Sequence, residues 1–197
     1  MKNRSKLNNQ GFSLIELIVA VLIMAIISGT AIYTFGLVFN TQASSTARKT
    51  ADIIKQARTS AMGVENSYDK DTKETDVYLL FERKGSDLYA SVCSMANKSA
   101  GDDPTILSEQ KIGGSSISLD FIYVNGTGTE TTFATVKDGS STKVYVYYKK
   151  ATGGISLVKT DTSACASGEI VNLIRVNGTG KSEDVVLVEL TGRGYIK

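Results

Sequence analysis

From Phe12 to Phe39 the chain carries no charged side chain except Glu16, and this run limits the possible molecules more than any other feature. About 20 apolar residues, at roughly 1.5 Å of helical rise each, cross a hydrocarbon core about 30 Å thick, so the run is long enough to span a bilayer as one helix. A carboxylate at mid-bilayer costs about 2.5–3.5 kcal/mol and less near the interface, which makes Glu16 a functional candidate in need of a partner. The fitting partner is a positive charge on another chain. A short leader holding Lys2, Arg4 and Lys6 and no acid precedes the run.

Two simpler readings compete. A secretory signal has a basic start, an apolar region of about 7–15 residues and a small-residue cleavage site. Gly29-Thr30-Ala31 would supply the site, but Leu17 to Ile27 is unbroken and apolar character resumes through Ile32, Tyr33, Phe35, Leu37, Val38 and Phe39, which is too long. A plain anchor has no use for Glu16, nor for a Gly before Phe12.

The phrase Gly11-Phe12-Ser13-Leu14-Ile15-Glu16, behind a basic leader and ahead of an aliphatic run, resembles the processing motif of type IV prepilins and pseudopilins. The resemblance implies scission between Gly11 and Phe12 by a prepilin peptidase on the cytoplasmic face, followed by N-methylation of Phe12. It further implies that Glu16 neutralises the Phe12 amine of a neighbouring subunit as a filament grows. Pairing relieves the desolvation penalty of both charges. Orientation by charge alone is divided, because Lys2, Arg4 and Lys6 hold the N-terminus inside while Arg48, Lys49, Lys55 and Arg58 follow the span. A cytoplasmic-side peptidase, implied by the resemblance, resolves it: N-terminus inside, remainder outside. Without Lys2, Arg4 and Lys6 the balance is 19 basic to 20 acidic residues, so the precursor's basic pI comes from the leader.

Beyond Phe39, the residues Ala43, Ala47, Ala51, Ile54, Ala57 and Ala61 recur at three and four positions, while Arg48, Lys49, Asp52, Lys55 and Gln56 point away. That spacing predicts one helix of about 50 residues whose amphipathic second half lies closely against a sheet. No Pro interrupts residues 12–61, unlike the kinked helices of many major pilins. Next come short alternating segments at Val77–Arg83, Leu88–Cys93, Thr105–Ile112, Ile117–Val124, Thr131–Val136, Lys143–Tyr148, Ile155–Lys159, Ile170–Val176 and Val185–Leu190, read as strands. Asn125-Gly126 and Asn177-Gly178 mark tight turns. The expected fold is α+β, a long N-terminal helix packed on an all-antiparallel β head. Its parts are a leader over 1–11, a membrane-spanning half-helix over 12–39, an amphipathic half-helix over 40–62 and a globular head over 63–197.

The head, passing straight from helix to strands and ending Val-Val-Leu-Val-Glu-Leu-Thr-Gly-Arg-Gly-Tyr, resembles H-type minor pseudopilins and FimT-like minor pilins. Some FimT-like members bind DNA near that Gly-Arg, which makes Arg193 and Lys197 the nucleic-acid candidates. A solvated strand end is the competing reading, favoured by the slightly acidic mature chain. Cys93 and Cys165 are the only cysteines, and a disulfide across their loop of about 73 residues would stabilise an exported head by about 4 kcal/mol.

Catalytic signatures are missing from the sequence. It has no His, which removes Ser-His and Cys-His nucleophiles and the usual zinc sites, and no cofactor or metal motif stands up. Gly178-Thr179-Gly180-Lys181-Ser182 lacks the first Gly of a phosphate loop, and the acids Asp69, Asp71, Glu74 and Asp76 lack the Gly and closing Glu of a calcium loop. The reading is a structural pilus or pseudopilus subunit, a minor one on the head's resemblance. Its partners are other pilin or pseudopilin subunits, prepilin peptidase, an inner-membrane assembly platform and the lipid bilayer. The alternative is a membrane-anchored extracellular domain, binding DNA or a surface, that never enters a filament.

Overall fold

The computed structural model describes residues 13–63, 74–95, 103–149, 152–165 and 170–197, with side chains at 31–40 and 74–76 left undescribed. It divides into two units, Met1–Val38 and Phe39–Lys197. Helix α1 covers Leu14–Gly63. The second unit holds the last turns of α1 and ten strands: β1 Glu74–Lys84, β2 Asp87–Ser94, β3 Thr105–Gly113, β4 Ser118–Val124, β5 Glu130–Val136, β6 Val144–Lys149, β7 Ile155–Thr160, β8 Leu173–Asn177, β9 Ser182–Val188 and β10 Arg193–Ile196.

They form two five-stranded sheets, ordered β3-β2-β1-β6-β7 and β10-β9-β8-β4-β5, with every neighbouring pair antiparallel. The α+β class expected from the sequence is what the chain adopts. Alternation sets the faces: Leu119 and Phe121 of β4 and Val144 and Val146 of β6 are buried. Phe81 of the first sheet meets Phe121 of the second edge-on, ring centroids 5.2 Å apart, at the centre of the core. β1 is central in its sheet and buried on both faces, which is why Val77-Tyr78-Leu79-Leu80-Phe81 reads as a continuous apolar run. Val77, Leu79 and Phe81 face the main core, and Tyr78 and Leu80 join Cys93 in a second cluster.

The Ala stripe of α1 closes the main core. Ala43, Ala47, Ile54, Ala57 and Ala61 are fully or almost fully buried, and so are Thr46, Thr50 and Ile53, which widen the stripe beyond the predicted one. The hydroxyl of Thr46 donates to the Ile112 carbonyl of β3 at 2.8 Å, and the Arg58 guanidinium donates to the Thr191 carbonyl between β9 and β10. Small side chains let the helix sit close to the sheets, so added volume has nowhere to go. Ala57→Leu is therefore expected to cost about 1–3 kcal/mol and lower Tm by about 3–10 °C, read by thermal denaturation of the detergent-solubilised chain. An unchanged Tm would mean that the stripe is loosely packed.

Differences from the sequence reading fall at strand ends. β8 begins at Leu173 instead of Ile170, although Asn172 still bonds to both neighbours: its amide donates to the Ile122 carbonyl at 3.1 Å and its carbonyl accepts from the Leu187 amide at 2.8 Å, while the Val124 amide donates to Asn172 Oδ1 and Asn172 Nδ2 donates to the Val124 carbonyl, both at 2.8 Å. The terminal Val-Glu-Leu-Thr-Gly-Arg-Gly-Tyr phrase is a hairpin and not one strand. β9 stops at Val188, the amides of Thr191 and Gly192 turn back onto the Val188 carbonyl, and β10 follows. Neither Asn-Gly pair forms a two-residue turn. The loops are longer, and the left-handed residue in each is the second Gly, Gly128 (φ 83°) or Gly180 (φ 97°). In the first, the Asn125 side chain takes the amides of Thr127 and Thr129 at 3.0 and 2.8 Å, a local bonding pattern that stretches the turn.

Candidate assembly segment and head surfaces

α1 starts on a capping box. Ser13 stands at the N-cap, its hydroxyl accepting from the Glu16 amide at 3.3 Å, while the Glu16 carboxylate accepts from the Ser13 amide at 2.9 Å. This motif, Ser-x-x-Glu ahead of an apolar run, was present in the sequence but hidden behind the more conspicuous charge. Its consequence is positional: Glu16 is fixed at the head of the helix with its carboxylate still exposed to a second partner. Gly11 and Phe12 lie outside the described residues, as do Asp69 and Asp71.

Along the first unit, eleven large apolar side chains from Leu14 to Ile27 are exposed, none less than 46%. Burying them at about 1.5–3 kcal/mol each gives a driving force well above about 10 kcal/mol, so lipid or other protein must cover this face. Among the described residues no helix is long and apolar enough to cross a membrane. The side chains of 31–40, the rest of the apolar run, are not among those described.

The structure records no bond between Cys93 and Cys165, so the disulfide expected in the head is not confirmed. Cys93 is buried on the outer face of the first sheet with Tyr78 and Leu80, whereas Cys165 packs against the main core beside β7, where its amide donates to the Val158 carbonyl at 2.9 Å. Burial, reinforced by the nearby Glu82 charge, pushes the Cys93 thiol up to about 11. The thiolate is the reactive form, so alkylation of Cys93 in the native chain is expected to lag an unstructured thiol by more than about tenfold at pH 8–9. Peptide mapping after iodoacetamide would read it, and equal rates would contradict the burial. The native thiol keeps its proton above the pH at which an unfolded one loses it, so its contribution to stability holds below an ordinary thiol pKa and falls as pH rises toward about 11.

Arg193 and Lys197 are both exposed, at the two ends of the β10 segment, about 13 Å apart at strand rise. Arg193 lines a groove of about 410 Å³ with Lys55, Arg58, Thr59 and Asp52 of α1. The acid in that groove and the use of Arg58 as a backbone anchor leave a sparse cationic surface. The structure does not bring Lys197 into it. Other charges on the second sheet are consumed internally: Arg175 binds Glu130 and Asp184 through paired bonds of 2.8–3.1 Å. Gly178–Ser182 is a hairpin turn closed by the Gly178 amide on the Lys181 carbonyl at 2.8 Å, which rules out a phosphate-cradling loop at the head of a helix. No group of His, Cys, Asp or Glu suited to a metal occurs among the described residues.

No curated protein and no solved structure matches the chain. One family model does, described as the prokaryotic N-terminal methylation motif, over residues 6–32. That span takes in the end of the basic leader, Gly11, Phe12, the capping box with Glu16 and the exposed apolar face. Over those residues the chain thus matches the N-terminal methylation motif, the signal that type IV prepilins and pseudopilins carry.

Proposed function

We propose that the chain is a structural subunit of a type IV pilus or a type II secretion-like filament, and a minor one. In this reading prepilin peptidase removes residues 1–11 and Phe12 is methylated. Residues 12–39 then hold the subunit in the cytoplasmic membrane with its N-terminus inside, residues 40–62 dock the helix, and the head over 63–197 stands outside. An assembly platform in the inner membrane would draw the subunit into a filament whose helices bundle at the centre.

The observation that carries this is the methylation motif spanning an acid held at the start of a helix whose large apolar side chains from Leu14 to Ile27 are exposed. Inside a bundle of such helices Glu16 has one natural counter-charge, the Phe12 ammonium of a neighbour, and a match between those two sets axial register. The motif's family is structural, not enzymatic. Shearing cells and fractionating the product tests the reading. The processed chain is expected in the filament fraction with other pilins, whereas recovery only from membranes would indicate a tethered domain instead.

A further inference from the structure

Four cations, Arg48, Lys49, Lys55 and Arg58, follow the apolar run on the side where charge counting disfavours them, and filament assembly through Glu16 gives them no task. Arg48 reaches a groove of about 500 Å³ that it lines with Thr41, Ser44, Ser45 and, from the β8–β9 turn, Lys181. We propose that this groove binds the phosphate of an anionic phospholipid headgroup while the subunit waits in the membrane. The inference rests on the reading that residues 12–39 span the bilayer.

Depth favours it. Thr41, Ser44 and Ser45 lie two to six residues past Phe39, so at roughly 1.5 Å of rise each they stand about 3–9 Å beyond the apolar run. The headgroup layer extends about 5–8 Å from the hydrocarbon on each side. Arg48 starts one turn farther out, but helical side chains lean toward the N-terminus, which returns its guanidinium toward the level of Ser44 and Ser45. Lys181 is at that level already, its Nζ 3.5 Å from Ser44 Oγ.

Charge favours it too. Lys181 pairs with Glu183 at 2.6 Å, and Glu183 also accepts from the Ser44 hydroxyl at 2.7 Å. Arg48 makes no ion pair among the described residues and Lys49 is its neighbour, so the groove keeps a net positive charge after Glu183 is counted. Two cations around one cavity, with the exposed Ser45 beside them, suit an oxyanion, the guanidinium offering paired N–H groups. Glu183 competes for Lys181 and Ser44, which keeps the lipid exchangeable, as a subunit due to leave the bilayer requires.

The test is native mass spectrometry of the full chain in detergent, titrated with phosphatidylglycerol and separately with phosphatidylcholine. Phosphatidylglycerol adducts are expected to persist and to weaken about thirtyfold in the Arg48→Gln/Lys181→Gln double variant. Lys137→Gln/Lys149→Gln, which removes the same charge elsewhere on the head, should change binding less than about twofold, and Glu183→Gln should tighten it. Equal lipid binding by the groove double variant, or equal affinity for phosphatidylcholine, would overturn the proposal. So would displacement of the lipid by millimolar inorganic phosphate, which would assign the groove to a soluble anion. The same spectra report whether residues 1–11 are gone, so failure of the lipid site is read separately from failure of the pilin reading.

Discussion

Glu16→Ala is expected to abolish entry of the chain into filaments while leaving leader removal intact. In the proposed bundle of apolar helices the neighbouring Phe12 ammonium would lose its counter-charge, and removing one partner of a buried pair costs about 3–5 kcal/mol. That is about 10²–10⁴-fold in the equilibrium for adding a subunit, enough to clear it from the sheared fraction. The variant also loses the bond from the Ser13 amide, but half of a capping box is worth only about 1 kcal/mol. Ser13→Ala separates the two effects. It breaks the bond from the Glu16 amide to the Ser13 hydroxyl while sparing the carboxylate, and should leave assembly within about fivefold of wild type. Immunoblots of sheared and cell-bound fractions measure both variants. Normal filament yield from Glu16→Ala would mean that the acid serves only to start the helix.

The second large effect is expected in the head, at Gly192. Its φ is +61°, and a Cβ there would run into the Gly153 backbone carbonyl and come within 3.2 Å of the Tyr148 ring. Backbone has no rotamer to change, so the turn would have to move. That turn also joins the sheets: the Ile155 amide of β7 donates to the Glu189 carbonyl at 2.9 Å, and Arg58 of α1 donates to the Thr191 carbonyl. Gly192→Ala should therefore destabilise the head by more than about 3 kcal/mol and lower Tm by more than about 8 °C. Gly85→Ala is the control. Gly85 has the same left-handed geometry, φ +64°, but nothing lies within 4 Å of its missing Cβ, so it carries only the conformational penalty of about 1–2 kcal/mol. Equal Tm losses for the two variants would show that Gly192 matters only for its φ.

Much of this fold was legible because the chain obeys two simple periods. Alanines three and four apart end in the core, and each of the nine predicted strands overlaps an observed one. The errors have local causes. Alternation through Val188, Leu190 and Gly192 conceals a turn that only the left-handed Gly192 betrays. β10, four residues with a Gly among them, is too short to signal itself. The disulfide expectation used compartment alone, and no spacing rule could reveal that Cys93 joins the second cluster while Cys165 packs against the main core. In the assembly segment the acid was plain, whereas its bond to Ser13 depends on reading Ser-x-x-Glu as a helix start and not only as part of a cleavage motif. The Ser44, Lys181 and Glu183 contacts join residues 137 and 139 positions apart, beyond any local pattern.

The claim beneath all of this is that a peptidase exposes the Phe12 amine and thereby creates the counter-charge for Glu16. The mass of the N-terminal peptide of the chain isolated from cells tests it most directly. The account predicts a peptide beginning at Phe12 and carrying one methyl group. A chain that still begins at Met1, or that has been cut near Gly29-Thr30-Ala31, would contradict it.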